Sequence, residues 1–443
     1  MIGTAQSITL SEWQTLGPSN CEELQGRFLD QSDAGKSVAS TLANSRLLEL
    51  TELRSGLEVK AFSHVGRIRI GDLNVTVLPK LRGSSLLKLL RYAYGFRRLN
   101  LISDTSHLIE PCGFEDLLVA QLNTEAQELL SRGLQRSYVA RSERLASPRG
   151  RIDIQQMALD GGTINATLPC RHYPRIEDTL LNRVLVSGLK LAGSLASNVA
   201  LRRESRRLAA LIEEQVSPVN LDSAVMNQVA RQLNRLTKSY LPAMSIITLL
   251  VEAQGVALEG DAITSRLPGF MFDMNAFFQA LLSRFLRENL PGYSVIDEHS
   301  LKGMMKYNPN FSPPRKSPTP RPDYVIRQGN RICAILDAKY RDIWERDLPR
   351  HMLYQLVIYA ISHSDQPRST ILYPTFHPAA REARIDVTDP VYGRLLGQVC
   401  LRPVNLEHIE VLVSDTTATG RRQRADYASE LALGSIATPR SNL

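Results

Sequence analysis

Asp323, Asp337 and Lys339 have the side-chain types and spacing for phosphodiester chemistry. They lie in the segment RPDYVIRQGNRICAILDAKY, residues 321–340. Two β-type apolar runs flank Gln328-Gly329-Asn330, a pattern that predicts a hairpin. The hairpin brings carboxylates 14 residues apart in the chain to neighbouring positions. Lys339 lies two residues beyond Asp337, on the same strand face. Two carboxylates with an ammonium can hold Mg²⁺, which keeps several waters and leaves room for a phosphate. Such an ion makes its water more acidic, orients the phosphodiester and neutralises charge on the attacking and leaving oxygens. Asp323 and Asp337 are therefore the expected ligands, with the Ala338 carbonyl a third oxygen, and Lys339 would stabilise the developing charge. Mn²⁺ could serve in place of Mg²⁺. Asp-x-Lys alone is common on charged strand edges. It gains weight here from the Pro-Asp pair upstream, the apolar strand before it and a helix after it.

That helix is expected over about Leu348 to Ser362, with Met352, Leu356 and Tyr359 on one face. Gln355 and Tyr359 stand four residues apart and are neighbours on its surface. An ordinary half-buried helix face would account for the pair by itself. The order Asp, Asp-x-Lys, Gln-x-x-x-Tyr resembles the PD-(D/E)xK nuclease superfamily, in the branch with a Gln-and-Tyr helix beside the site. That resemblance implies that Gln355 and Tyr359 order the catalytic lysine or contact DNA.

Upstream, Phe270-Met271-Phe272-Asp273-Met274-Asn275-Ala276-Phe277-Phe278 reads as the opening of a helix that continues to about Asn289. This stretch is similar to a signature of the McrC family, the nuclease subunits of modification-dependent restriction systems. Val65-Gly66-Arg67-Ile68 with Leu78-Pro79-Lys80-Leu81 resembles the family's N-terminal strands. Gly150-Arg151-Ile152-Asp153, Pro169-Cys170-Arg171-His172-Tyr173 and Asp178-Thr179-Leu180-Leu181-Asn182 resemble its middle region. The likeness runs from about residue 60 to 375. It implies Mg²⁺-dependent cleavage of DNA, licensed by a separate AAA+ GTPase hexamer, McrB, that reads the modified base. It further implies that GTP is used only by that partner, whose hydrolysis the N-terminal part stimulates. One position departs from the pattern. McrC-like chains usually carry a glutamate after the paired bulky residues of the first nuclease helix, and here Gln279 stands. Either its carbonyl assists the site or the site runs with two carboxylates. Two rival readings follow: a catalytically silent adaptor that keeps the nuclease fold, and a stand-alone DNA repair nuclease.

The composition agrees with an anionic partner. The chain has 443 residues and a net charge of +8, which favours a phosphate backbone. No run of about 18 apolar residues predicts a membrane span, and the N-terminus lacks a basic-then-apolar signal. Five scattered cysteines form no Cys-x-x-Cys pair, so reduced thiols and a cytoplasmic location are expected. The histidines have no metal-binding spacing, and no phosphate-binding Gly-rich loop occurs. The expected fold is α/β. A β-rich module covers 1–82, a largely helical partner-docking region 83–255, a nuclease domain with a mixed sheet flanked by helices 256–414, and a polar tail with one short helix 415–443. Helices are expected at Leu86–Tyr94, Phe114–Arg132, Asp178–Ala196, Leu201–Glu214, Met226–Ser239 and Met244–Ala253. The Pro-rich basic run 312–322 is expected as an exposed loop.

Overall fold

Short alternating apolar segments at the N-terminus form strands in a computed structural model. It describes residues 6–29, 33–81, 83–95, 114–159, 166–253, 257–258, 265–266, 269–308, 310, 315–344, 347–362 and 367–434. The first elements are β1 (Gln6–Ser11), β2 (Thr15–Leu16), α1 (Asp33–Asn44), β3 (Leu48–Leu53), β4 (Gly56–Ala61), β5 (His64–Ile70) and β6 (Leu73–Leu78). Strands β2, β4 and β3 pair antiparallel, while β1 runs parallel to β6. Val59, Val75 and Val77 face inward at every second position and are fully or almost fully buried, as half-buried strands require. Helix α2 (Gly83–Tyr94) follows.

The middle of the chain is helical, with small strands. It comprises α3 (Phe114–Arg132), β7 (Ser137–Tyr138), β8 (Arg141–Leu145), β9 (Arg151–Ile152), α4 (Ile154–Leu159), β10 (Leu168–His172) and β11 (Arg175–Ile176). Helices α5 (Leu180–Leu195), α6 (Val199–Glu213), α7 (Ser223–Gln232) and α8 (Leu241–Glu252) continue it, and β12 (Ala257–Leu258) and β13 (Ser265–Arg266) form a two-stranded ribbon. Two of the quoted sequence motifs pair here, Cys170 with Ile152 and Arg171 with Arg151. Gly150 is required just before them. It has φ 72°, and a Cβ would come within 2.5 Å of the Arg171 carbonyl oxygen. Thr179 caps α5, and buried Asn182 donates to the carbonyls of Gln135 and Glu177 and accepts from the Tyr240 hydroxyl at 2.6 Å. Pro242 occupies the first turn of α8. The helix expected from Met244 thus starts at Leu241, and the proline sits where its missing N–H costs nothing.

The C-terminal part contains β14 (Gly269–Asp273), α9 (Met274–Asn289), β15 (Ser294–Asp297), β16 (Tyr324–Gln328), β17 (Arg331–Ala338), α10 (Arg350–Ile361) and β18 (Arg368–Thr375). Beyond these lie β19 (Ala383–Thr388), β20 (Leu395–Asn405), α11 (Leu406–Ser414) and α12 (Ala418–Leu433). A six-stranded mixed sheet has the order β15-β16-β17-β18-β20-β19, parallel at β17-β18-β20 and antiparallel at both edges. Leu356 and Tyr359 of α10 cluster with Ile335, Ile371, Tyr373 and Val399. Tyr324 sends its hydroxyl to the Gln279 carbonyl of α9. Tyr324 pairs with Leu336, not Ile335, so by strand alternation α9 and α10 cover opposite faces.

The chain groups into two compact units, one of Met1–Val65, Ile70–Phe96 and Met271–Leu443, the other of Gly66–Arg69 and Arg97–Phe270. This grouping cuts across sequential boundaries at 82, 255 and 414. Within the first unit, α2 joins helix α11 through Lys88 to Glu410 at 2.6 Å and helix α9 through the Arg284 guanidinium over the Tyr92 ring. Two local expectations need correction. Residues 270–273 are strand rather than helix, because Asp273 accepts from Asn275 N–H and caps α9 behind it. The segment from 415 is no polar tail with a short helix. It carries the 16-residue α12, whose Ala428, Leu431 and Ala432 are buried and whose Leu431 carbonyl accepts from Arg402. Its apolar stripe is small residues among arginines, too weak to read as a core face.

Candidate active site

Register decides whether the two carboxylates meet. Gln328 pairs with Arg331 and Arg327 with Ile332 around the two-residue loop, where Gly329 has φ 59°. An irregularity between Ile326 and Arg327 shifts the ladder by one residue, so that Tyr324 faces Leu336. Continued one step, the ladder sets Asp323 opposite Asp337. Without the shift Asp323 would face Leu336 and turn toward the α9 side, because a one-residue slip exchanges the two faces. The Asp323 carbonyl accepts from Glu298 N–H at 2.8 Å, and Lys339 N–H donates to the Leu372 carbonyl at 3.0 Å. Both ends of the site are therefore tied to neighbouring backbone.

The side chains converge. Ala338 N–H donates to Asp323 Oδ2 at 2.7 Å. Lys339 Nζ lies 2.8 Å from Asp337 Oδ2 and 3.5 Å from Asp323 Oδ2. Asp337 is 2% exposed, and its Oδ1 is buried without a hydrogen-bond partner among the described residues. Burial, joined by the Asp323 charge, pushes the Asp337 carboxyl up to about 6 against the opposing pull of Lys339. Burial acts to depress the Lys339 ammonium, but the charges of Asp337 and Asp323 outweigh it and hold its pKa above the ordinary lysine value. The site thus keeps a cation beside one carboxyl that exchanges its proton close to neutrality.

Gln355 and Tyr359 form the pair that their spacing predicts, Gln355 Nε2 donating to Tyr359 Oη at 2.6 Å. Burial raises the Tyr359 hydroxyl pKa, and the charges of Asp337 and Asp323 add to the rise while Lys339 opposes it. The pair therefore lies within electrostatic reach of the trio. Gln279 is placed differently. Its backbone carbonyl receives the Tyr324 hydroxyl at 2.7 Å, on the opposite face of the sheet from Asp337. Its amide makes no hydrogen bond among the described residues. Ala338 contributes through its N–H to Asp323. The two carboxylates, one with an unpartnered buried oxygen, are hard donors of the kind a divalent cation takes. Among the described residues no group of three or more His, Cys, Asp and Glu side chains gathers for a metal.

Sequence reasoning passed over Tyr340 and Glu12. Tyr340 follows the catalytic-type lysine directly, and its hydroxyl lies 3.4 Å from Glu12 Oε1. Adjacency to Asp-x-Lys was a signal for the tyrosine. Nothing local marks the glutamate.

Two carboxylates and a lysine on a mixed sheet between helices define an α/β protein with a restriction-endonuclease-like C-terminal part. The chain belongs to the family described as McrBC 5-methylcytosine restriction system component, whose sequence model matches residues 59–374. No curated protein matches it. Its fold is similar to a chain from Thermococcus gammatolerans, in a refined half-complex from a tetradecameric assembly of McrB AAA+ hexamers with bound McrC. The two chains are 18% identical with a TM-score of 0.60, over 95% of this chain and 99% of that one. A chain of the Thermococcus gammatolerans McrBC complex gives a TM-score of 0.45 at 18% identity, over 64% of this chain and 88% of that one. Among the described residues, no helix is long and apolar enough to cross a membrane.

Proposed function

We propose that this chain is the DNA-cleaving subunit of a modification-dependent restriction system, a Mg²⁺-dependent endonuclease that works with an AAA+ GTPase ring and stimulates its GTP hydrolysis. The observation that carries the reading is the meeting of Asp323, Asp337 and Lys339, with Lys339 Nζ within 2.8 and 3.5 Å of the two carboxylates. Family membership and the fold shared with a chain of the McrB–McrC assembly support the choice of reaction and partner.

Asp323 and Asp337, with the Ala338 carbonyl, would hold Mg²⁺ or Mn²⁺. Bound there, the ion would acidify water and neutralise phosphate charge. Lys339 stays protonated and offers its N–H groups to charge that develops on the phosphate oxygens. Tyr359, hydrogen-bonded by Gln355, presents a hydroxyl within electrostatic reach of that lysine. Asp337 must shed its proton before it can serve as a ligand.

The test is incubation with methylated and unmethylated plasmid, GTP and Mg²⁺, with and without the ring protein. Asp337→Ala and Lys339→Ala should abolish cleavage, while stimulation of GTP hydrolysis stays at the parent level. Full cleavage by either variant would refute the site. The neutral amide of Gln279, where McrC-like chains usually carry a glutamate, favours one second reading, a silent adaptor. Stimulated GTP hydrolysis without any cleavage by the parent chain would establish it.

A further inference from the structure

The corner between β1 and β2 is built against the segment that follows the Asp-x-Lys strand. Glu12 is 1% exposed. Its Oε1 accepts from Lys80 N–H at 3.2 Å and lies 3.4 Å from the Tyr340 hydroxyl. Trp13 adopts φ 63°, a conformation that a bulky residue holds only when its surroundings impose it. Those surroundings are visible: Trp13 N–H donates to the Phe62 carbonyl at 3.2 Å, its ring meets Phe62 edge-on, and the Arg341 guanidinium lies 5.6 Å above it. From the other side the Phe278 ring of α9 packs on Tyr340 at 5.9 Å. Asp342 ties the same segment to the end of β18 through Thr375 Oγ1 at 3.0 Å. A small cleft of about 20 Å³ is lined by Glu12, Trp13 and Lys80 from the corner and by Tyr340, Arg341 and Asp342 from the segment.

We propose that the Glu12–Trp13 corner is a positioning clamp that holds Tyr340 and Arg341, and through them keeps Lys339 between Asp323 and Asp337. The clamp rests on the nuclease reading for its catalytic consequence, though not for its existence. Tyr340 is 3% exposed, so removal of the Glu12 carboxyl strands a buried hydroxyl and favours movement of the segment that carries it. Lys339 is one residue away, and misplacement of a reacting group by about 1 Å can cost on the order of 100-fold in rate.

The test pairs Glu12→Ala with Glu12→Gln. Glutamine keeps an oxygen for Lys80 N–H and the Tyr340 hydroxyl. Hydrogen exchange of the metal-free chain should show faster exchange at Lys339 and Arg341 in Glu12→Ala and restoration in Glu12→Gln, with the β18 and β20 amides unchanged. In plasmid cleavage Glu12→Ala should lower kcat about 10- to 100-fold with KM for DNA unchanged, and Glu12→Gln should recover most of it. Exchange that rises uniformly, or stays at the parent rate at Lys339 and Arg341, would overturn the clamp. If the parent chain fails to cleave, the nuclease reading falls, while hydrogen exchange still decides whether the corner holds the segment.

Discussion

Replacing Glu12 with glutamine should make the protein more stable relative to its parent as pH rises. Burial pushes the Glu12 carboxyl up from its ordinary 4.5 to about 7, against smaller opposing effects of the Tyr340 hydroxyl, the Lys80 N–H and the Lys80 charge. Arg341 and Asp342 line the same pocket. A folded-state pKa above the unfolded value means that the folded chain binds the proton more tightly. Stability contributed by the protonated acid is therefore complete below pH 4.5 and declines as pH climbs through about 7. Integrated between pH 5 and pH 8, this one carboxyl costs the parent on the order of 2 to 3 kcal/mol, at about 1.4 kcal/mol per tenfold in proton affinity. Glutamine does not titrate, so the difference between variant and parent should move by that amount. Any constant offset from an imperfectly paired amide cancels in the comparison. Urea unfolding at the two pH values, followed by fluorescence of Trp13 beside the mutated residue, reads it directly. A stability difference that stays the same at both pH values would refute the reasoning.

Two further outcomes follow from other parts of the molecule. Because the Asp337 carboxyl sits near 6 in the metal-free chain, Mn²⁺ affinity measured by calorimetry should be about tenfold weaker at pH 5 than at pH 7, through competition with one proton; an affinity indifferent to pH would remove Asp337 from the ligand set. Helices α5 and α8 meet at Gly188, where an added Cβ would come within 2.5 Å of Ile247 side-chain carbons. Gly188→Ala should lower thermal stability by about 1 kcal/mol, the overpacking cost less the gain in helix propensity, and Ile247→Ala in the same chain should relieve the clash. Additive losses in the double variant would contradict that contact.

Much of the local structure was legible in the sequence. The amphipathic period of Phe114–Arg132 marks α3 to the residue, and the helix read over Leu348 to Ser362 is α10, Arg350–Ile361. Alternation around Gln328-Gly329-Asn330 gives the hairpin. Such signals depend on neighbours within a turn or two, where side-chain period and turn chemistry act without help from the rest of the fold. For the same reason Asp323, Asp337 and Lys339 could be singled out by their types and spacing. Asp273 was read inside a helix although its own side chain caps it, a local signal overridden by the apolar run around it.

What the tertiary structure alone decided is how those pieces meet. The one-residue shift between Ile326 and Arg327 places Asp323 opposite Asp337 rather than Leu336, and no residue type at that point announces a bulge. Helix α12 gains its place by burying Ala428, Leu431 and Ala432, a contact whose value depends on a surface made elsewhere. The pairing of Glu12 with Tyr340 joins residues 328 positions apart. Contacts of that range are selected by the packing of the whole fold, since loop closure sets their cost and burial their return. Chemistry was written in the residues, and its geometry was settled by long-range packing.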